Sequence, residues 1–77
     1  MTDAEIAARL IEALTREAGV GASLVSVSLE MIATSDVADV SVRVERKTRT
    51  LLFLSADATG VDGARIAAAT SVHKLAP

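Results

Sequence analysis

The sequence predicts an α+β fold in which one N-terminal helix packs on a four-stranded antiparallel sheet. Apolar residues recur at helical spacing over residues 3–18 and stop before a glycine, which is typical of an amphipathic helix. Segments with the two-residue alternation of β-strands follow, over residues 23–33, 37–47, 50–59 and 65–74. A helix followed by a run of strands indicates a two-layer unit. The chain contains no linker-like tract, so residues 1–77 are predicted to form a single domain.

The helix is defined by an apolar stripe and by residues that favour its two ends. The stripe begins with Ile6 and Leu10 and continues at a spacing of four residues. Thr2 or Asp3 is expected to cap the N-terminus. Gly19 is expected to end the helix in a left-handed backbone conformation.

The strand segments differ in how apolar their two faces are. The segment 50–59 is apolar on both faces at its start and contains the only aromatic residue, so it is predicted to lie inside the sheet. The segment 37–47 alternates valine with charged residues and is predicted to be open to water or at an edge. The segment 23–33 is predicted to be half-buried, with Leu24 on its polar face. The pair Asp62–Gly63 predicts a hairpin turn before the last strand.

The composition indicates that the chain associates with another copy of itself. A domain of 77 residues buries only about 60% of the surface of its unfolded chain and needs a further source of stability. The absence of cysteine excludes disulfides, and a single histidine excludes a histidine–cysteine metal site. A carboxylate site for a hard cation is not excluded, but no loop has the acidic spacing of a calcium site, so no metal is expected. Alanine and valine supply most of the apolar residues and contribute little each on burial, which leaves oligomerisation.

Charge and hydropathy disfavour two classes of partner. A net charge of −2 does not suit a nucleic-acid-binding protein, which needs a cationic surface. No apolar segment approaches the roughly 20 residues of a membrane-spanning helix. The N-terminus lacks the basic region and apolar block of a secretory signal, so a cytoplasmic location is expected.

The order of the elements and three local segments resemble a known family. The segments are Leu24–Met31, Ala38–Val44 and Gly63–Ala69. They are similar to parts of the hotdog fold, in particular of small acyl-CoA thioesterases of the phenylacetate-pathway type, and the similarity covers roughly residues 3–75. The resemblance implies a homodimer or tetramer whose sheets join edge to edge, with the segment 23–33 paired with its copy. It also implies that an acyl-CoA type thioester binds between the subunits.

The resemblance also indicates which residues would act on a thioester. Family members take an oxyanion hole from a segment before the helix and a catalytic acid from within the helix. This sequence begins at the helix and has Ala8 where the acid aligns, so neither feature is found and enzymatic activity stays open. Glu12 and Glu5 are the candidate catalytic bases, with water as nucleophile and the helix N-terminus as oxyanion stabiliser. The alternatives are an exposed ion pair of Glu12 with Arg16, and a first-turn charge at Glu5 that the helix dipole favours.

Four cations lie in and beside the turn between the second and third strand segments. They are Arg43, Arg46, Lys47 and Arg49. The resemblance implies that they contact the phosphates of coenzyme A, and the alternative is a solvated turn that protects a strand edge from aggregation. His73 could serve as an acid or base near neutral pH, but a surface or edge histidine is expected.

Two functional hypotheses follow. In the first, the protein is a thioesterase-like hotdog protein that binds an acyl-CoA type thioester at a subunit interface, with or without hydrolysing it. In the second, it is a degenerate, non-catalytic hotdog module for dimerisation or ligand binding. Neither requires a cofactor other than coenzyme A as part of a ligand, and neither involves nucleic acid or a membrane. The sequence leaves open the acyl group and the choice between dimer and tetramer.

Overall fold

The computed structural model describes residues 1–33 and 35–76. Helix α1 (Asp3–Ala18) is followed by β1 (Ser23–Met31), β2 (Asp39–Lys47), β3 (Leu51–Thr59) and β4 (Arg65–Lys74). The helix packs on the sheet, and all neighbouring strands are antiparallel. The prediction of an α+β fold is confirmed, and the layout is consistent with a hotdog-like unit.

Helix α1 begins where its sequence predicts because Thr2 and Glu5 form a capping box. The Thr2 Oγ1 accepts a hydrogen bond from the Glu5 backbone N–H at 3.2 Å, and the Glu5 Oε1 accepts one from the Thr2 N–H at 2.9 Å. The helix ends before Gly19, whose φ of 89° is readily adopted by glycine alone. The expected left-handed helical conformation is wrong, because the ψ of Gly19 is 173° and therefore extended. Both ends of α1 therefore follow from the local sequence.

The strand order of the sheet is β1-β4-β3-β2, which places β1 and β2 at its two edges. Short hairpins join β2 to β3 and β3 to β4, whereas β1 lies beside β4. The connection 32–38 therefore crosses from one edge of the sheet to the other. An ion pair of 2.8 Å between the N-terminal amine of Met1 and Asp36 ties this connection to the start of α1.

The bounds of the strands agree with the prediction at most positions. Strand β3 begins one residue later than predicted, and the two strand ends that flank the connection 32–38 also differ. Strand β4 has the predicted bounds, whereas β1 ends at Met31 and β2 begins at Asp39, each two residues inside the predicted segment. The N–H groups of Ile32 and Ala33 both donate to the carbonyl of residue 66, at 2.9 and 3.1 Å. Two donors share one acceptor at this point, so the regular hydrogen-bond ladder between β1 and β4 ends there.

The core lies between α1 and the side of the sheet that faces it. The helix contributes Ile6, Leu10 and Leu14, each at most 1% exposed. The strands contribute two leucines, an isoleucine and several alanines, namely Leu52, Leu54, Ala56, Ala58, Ile66, Ala67 and Ala69. All of these strand residues belong to β3 and β4, the two interior strands. The prediction that the third strand lies inside the sheet is confirmed.

Strand β1 is more exposed than the sequence predicts. Val27 is half-buried and the other residues of β1 are exposed, because β1 is an edge strand that α1 barely covers. A bulge between Leu24 and Ser26 pairs Leu24 with His73, which belongs to the helix side of the sheet. The assignment of Leu24 to the polar face is therefore wrong.

His73 is a core residue, and the expectation of a surface or edge position is wrong. Its side chain is 1% exposed, and its Nε2 lies 2.8 Å from the Oγ of Ser71, which is also buried. The reason is the strand order: β1 lies outside β4, so the last strand of the chain is an interior strand.

Candidate functional site

Glu5, the first candidate base, lies at the start of α1, where its carboxylate caps the helix. It accepts the Thr2 backbone N–H at 2.9 Å, and this hydrogen bond lowers the pKa of Glu5. A carboxylate that is held ionised in this way is a weak acceptor of a proton from water. The geometry therefore favours the structural role of Glu5 over that of a general base.

Glu12, the second candidate base, is an exposed residue paired with Arg16. The Glu12 Oε1 lies 3.0 Å from the Arg16 guanidinium, and the two side chains are 68% and 78% exposed. Both residues line a depression of about 190 Å³ between α1 and the start of β2, together with Arg9 and Asp39. Glu12 is therefore on the side of the helix that is directed towards β2, and the ion-pair interpretation describes its contacts.

The opposite flank of α1 is directed towards β1 and carries small or apolar side chains. The buried stripe of the helix separates this flank from the charged residues beside β2. With about 100° of rotation per residue, the flank consists mainly of Ala4, Ala7, Ile11 and Ala18. Ala8, the position at which the resemblance places a catalytic acid, is exposed and lies one turn before Glu12 on the outward side of the helix, not on this flank.

Strand β1 places further apolar side chains beside this flank. Five large apolar residues in or next to β1 are between 38% and 61% exposed, namely Leu24, Val25, Leu29, Met31 and Ile32. Because β1 is an edge strand, the backbone groups on its outer side pair with no other strand of the described chain. On the other edge, Val44 is the exposed large apolar residue of β2 and stands among charged side chains. The two edges of the sheet therefore differ in chemistry.

Arg43, one of the four candidate phosphate contacts, belongs to a charge network on the face of the sheet away from α1. Its guanidinium lies 2.7 Å from Asp57 Oδ2 and 2.8 Å from Glu45 Oε1. Asp57 also binds Arg65 at 2.9 Å, and Glu45 accepts the Ser55 hydroxyl at 2.6 Å. A phosphate would have to compete with two carboxylates for Arg43, which makes it the least available of the four cations.

The other three candidate cations lie together at the β2–β3 hairpin. Arg46 and Lys47 end β2, and Arg49 is in the turn. None of the three forms an ion pair within residues 1–33 and 35–76. Lys74 lies at the same end of the sheet, in register with Leu51 at the start of β3. Sequence reasoning missed Lys74 because only the strand order brings the end of β4 beside this hairpin.

The Ser71–His73 pair has the separation of a nucleophile and its base, but it lies in the core. The two side chains are 3% and 1% exposed. Burial lowers the pKa of His73, which keeps the imidazole neutral. Because a substrate cannot reach the Ser71 hydroxyl without opening the core, the pair has a structural role.

No metal cluster, membrane-spanning helix or known relative identifies a site in the described residues, so the site is defined by geometry. The described part of the chain contains no cluster of three or more histidine, cysteine or acidic side chains that could hold a metal ion. Over the same residues, no helix is long and apolar enough to cross a membrane. No protein-family model, curated protein or solved structure matches this chain. Three features make up the candidate site: an apolar edge at β1, a charged edge at β2 and a basic end at the β2–β3 hairpin.

Proposed function

We propose that this protein is a thioesterase-like hotdog module that pairs with a second copy through β1 and binds an acyl thioester along the seam. The proposed activity is binding without hydrolysis. The observation that carries the proposal is the difference between the two sheet edges, since β1 is apolar and exposed while β2 is charged.

Pairing of β1 with its copy would bury the exposed apolar side chains of this edge and would provide partners for its unpaired backbone groups. An antiparallel arrangement about a two-fold axis provides partners for the outer backbone groups and keeps both helices on one side of the joined sheet. Leu29 and Met31, which are 40% and 38% exposed, would then lie at the interface. Removing such side chains from water is favourable, and a 77-residue chain with a core of small residues has much to gain from it.

The seam suits the hydrocarbon part of an acyl thioester. On each copy it is lined by the apolar side chains of β1 and by the small flank of α1, which includes the half-buried Ala7 and Ile11. The small side chain of Ala4 leaves space above β1 for a ligand. An apolar groove of this kind favours an acyl chain over a charged ligand.

Neither candidate base is placed to hydrolyse a thioester at this seam. Glu5 caps α1, and Glu12 pairs with Arg16 on the side directed towards β2. General base catalysis needs a carboxylate within hydrogen-bond distance of the attacking water. The same observation favours the second candidate function, a module for association alone, and the ligand experiment below separates the two.

Sedimentation velocity at several protein concentrations tests the association. We expect a dimer at micromolar concentration for the unaltered protein and a monomer for Leu29→Lys, because an ammonium group cannot be buried unpaired at the seam. Val44→Lys is the matched control, since Val44 is 54% exposed on the other edge and Leu29 is 40% exposed. A monomeric unaltered protein, or equal dissociation by the two variants, contradicts pairing through β1.

Calorimetric titration with acyl-CoA thioesters of increasing chain length tests the ligand. We expect the affinity to rise by about fourfold for each additional buried methylene group. Free thiol should not be released, and Glu12→Gln and Glu5→Gln should bind as tightly as the unaltered protein. Equal affinity for coenzyme A and for long acyl-CoA thioesters removes the ligand from the proposal and leaves association. Thiol release that one of these variants abolishes contradicts binding without hydrolysis.

A further inference from the structure

The face of the sheet away from α1 carries a groove whose chemistry differs from that of the seam. Two depressions of about 290 and about 270 Å³ adjoin each other there and share Ser28 and Thr70. The second depression is also lined by Phe53, Val72 and Ser26. It therefore combines the only aromatic ring of the chain with the hydroxyl groups of Ser26, Ser28 and Thr70, and the carboxylate of Glu45 also lines it.

The register of the strands places free cations beside this aromatic ring. Arg46 on β2 is the strand partner of Phe53, and Val72 on β4 is its partner on the other side. The Cβ atoms of directly opposed residues are about 5 Å apart, and those of diagonal neighbours about 7–8 Å. Lys74, two residues after Val72 on the same strand, is such a diagonal neighbour of Phe53.

These two cations are not neutralised by the protein, in contrast to those further along the same face. Arg46 and Lys74 are exposed, and neither has an ion-pair partner in the described residues. Arg43 and Arg65, by comparison, both bind Asp57 at 2.7 and 2.9 Å. Because Glu45, which lines the depression, is paired with Arg43 at 2.8 Å, the positive charge without an ion-pair partner on this face is concentrated at the Phe53 end of the groove.

We infer that this groove binds a nucleoside diphosphate, with the base against Phe53 and the phosphates at Arg46 and Lys74. The depression is slightly smaller than the roughly 300–1,000 Å³ of most ligand pockets, so it suits a planar base better than a whole nucleotide. Aromatic side chains stack on bases, and guanidinium and ammonium groups bind phosphate. The hydroxyls of Ser28 and Thr70 both donate and accept hydrogen bonds, as the heteroatoms of a base require.

The groove lies on the face of the sheet away from α1, shares β1 with the seam through Ser26 and Ser28, and is complete within one copy of the chain. The side chains on which the inference depends, those of Ser28, Phe53 and Thr70, lie on the face away from α1, so the inference does not rest on pairing through β1. The same chemical group, an adenine nucleotide with a diphosphate, exists as free ADP and as one end of coenzyme A. Comparison of ADP with coenzyme A distinguishes these two sources.

Isothermal titration of the full chain with ADP, adenosine and inorganic pyrophosphate tests this inference. We expect ADP to bind at least about tenfold more tightly than either fragment, because only ADP engages both the ring and the cations. Phe53→Leu should weaken ADP binding by about fivefold or more, and Arg46→Gln by about tenfold. Arg9→Gln is the matched control, because Arg9 is an exposed arginine on α1 and should leave binding unchanged.

Each result of these titrations either supports or overturns the inference. Loss of ADP affinity in Arg46→Gln, a substitution at an exposed position that does not alter the core, supports the site even if Phe53→Leu fails to fold. Tighter binding of ADP than of coenzyme A assigns the site to free nucleotides, and tighter coenzyme A binding in competition with ADP assigns it to that cofactor's nucleotide end. Absence of saturable ADP binding at millimolar concentration overturns the inference. Binding that neither Arg46→Gln nor Phe53→Leu changes also overturns it.

Discussion

At the scale of single residues, the buried Ser71–His73 pair couples the stability of the core to pH. Burial lowers the pKa of His73 below its ordinary value of 6.5, so the folded protein holds the imidazole neutral. In the unfolded chain the same imidazole takes up a proton as the pH falls through 6.5. The unfolded state thus binds more protons in this range, and the free energy of unfolding falls as the pH decreases below 6.5.

We predict that the free energy of unfolding decreases between about pH 7 and about pH 5.5, with a slope of at most about 1.4 kcal/mol per pH unit from this one proton. Urea unfolding followed by circular dichroism measures the slope. His73→Gln, which keeps a polar side chain near Ser71, should flatten it. Glu5, Asp36 and Glu45 have lowered pKa values and titrate below this range. The same slope in His73→Gln means that a group other than His73 is responsible.

At the scale of elements, α1 depends on the capping box at its start. The Thr2 Oγ1 accepts the Glu5 N–H, one of the backbone donors that the first turn of a helix leaves without a partner. Since α1 carries the helix half of the core, loss of this cap acts on the whole fold.

We predict that Thr2→Ala lowers the free energy of unfolding by about 1 kcal/mol. Thr15→Ala is the control, because Thr15 is an exposed threonine within α1 and alanine there has the higher helix propensity. Chemical denaturation should show a neutral or slightly stabilising effect for the control. Equal effects of the two substitutions contradict a specific role for the cap.

At the scale of the whole molecule, the exposed β1 edge makes stability depend on protein concentration if the proposed pairing occurs. Folding and association are then coupled by mass action, and the dimer is favoured over unfolded chains as concentration rises. We predict that a tenfold increase in concentration raises Tm by several degrees, as followed by circular dichroism. Leu29→Lys, the expected monomer, should have a Tm that does not change with concentration. A constant Tm for the unaltered protein contradicts a coupled dimer.

The sequence by itself determined the elements of this protein. The spacing of Ile6 and Leu10, the glycine at position 19 and the alternation in residues 65–74 predicted the bounds of α1 and β4 correctly. These features depend on residues a few positions apart, whose relative placement is set by the repeat of the helix or of the strand. Candidate site residues could be named from the sequence in the same way, but the side chains that lie around them could not be predicted.

Only the tertiary structure decided the order of the strands and, with it, the site. Pairing joins residues far apart in the chain, such as Ser23 with Lys74, and alternation shows that a strand has two faces without showing which strand lies beside it. The position of β1 outside β4 buried His73, left β1 exposed and brought Lys74 to the β2–β3 hairpin. Burial and charge at a residue depend on these distant neighbours, which is the physical reason that local sequence could not determine them.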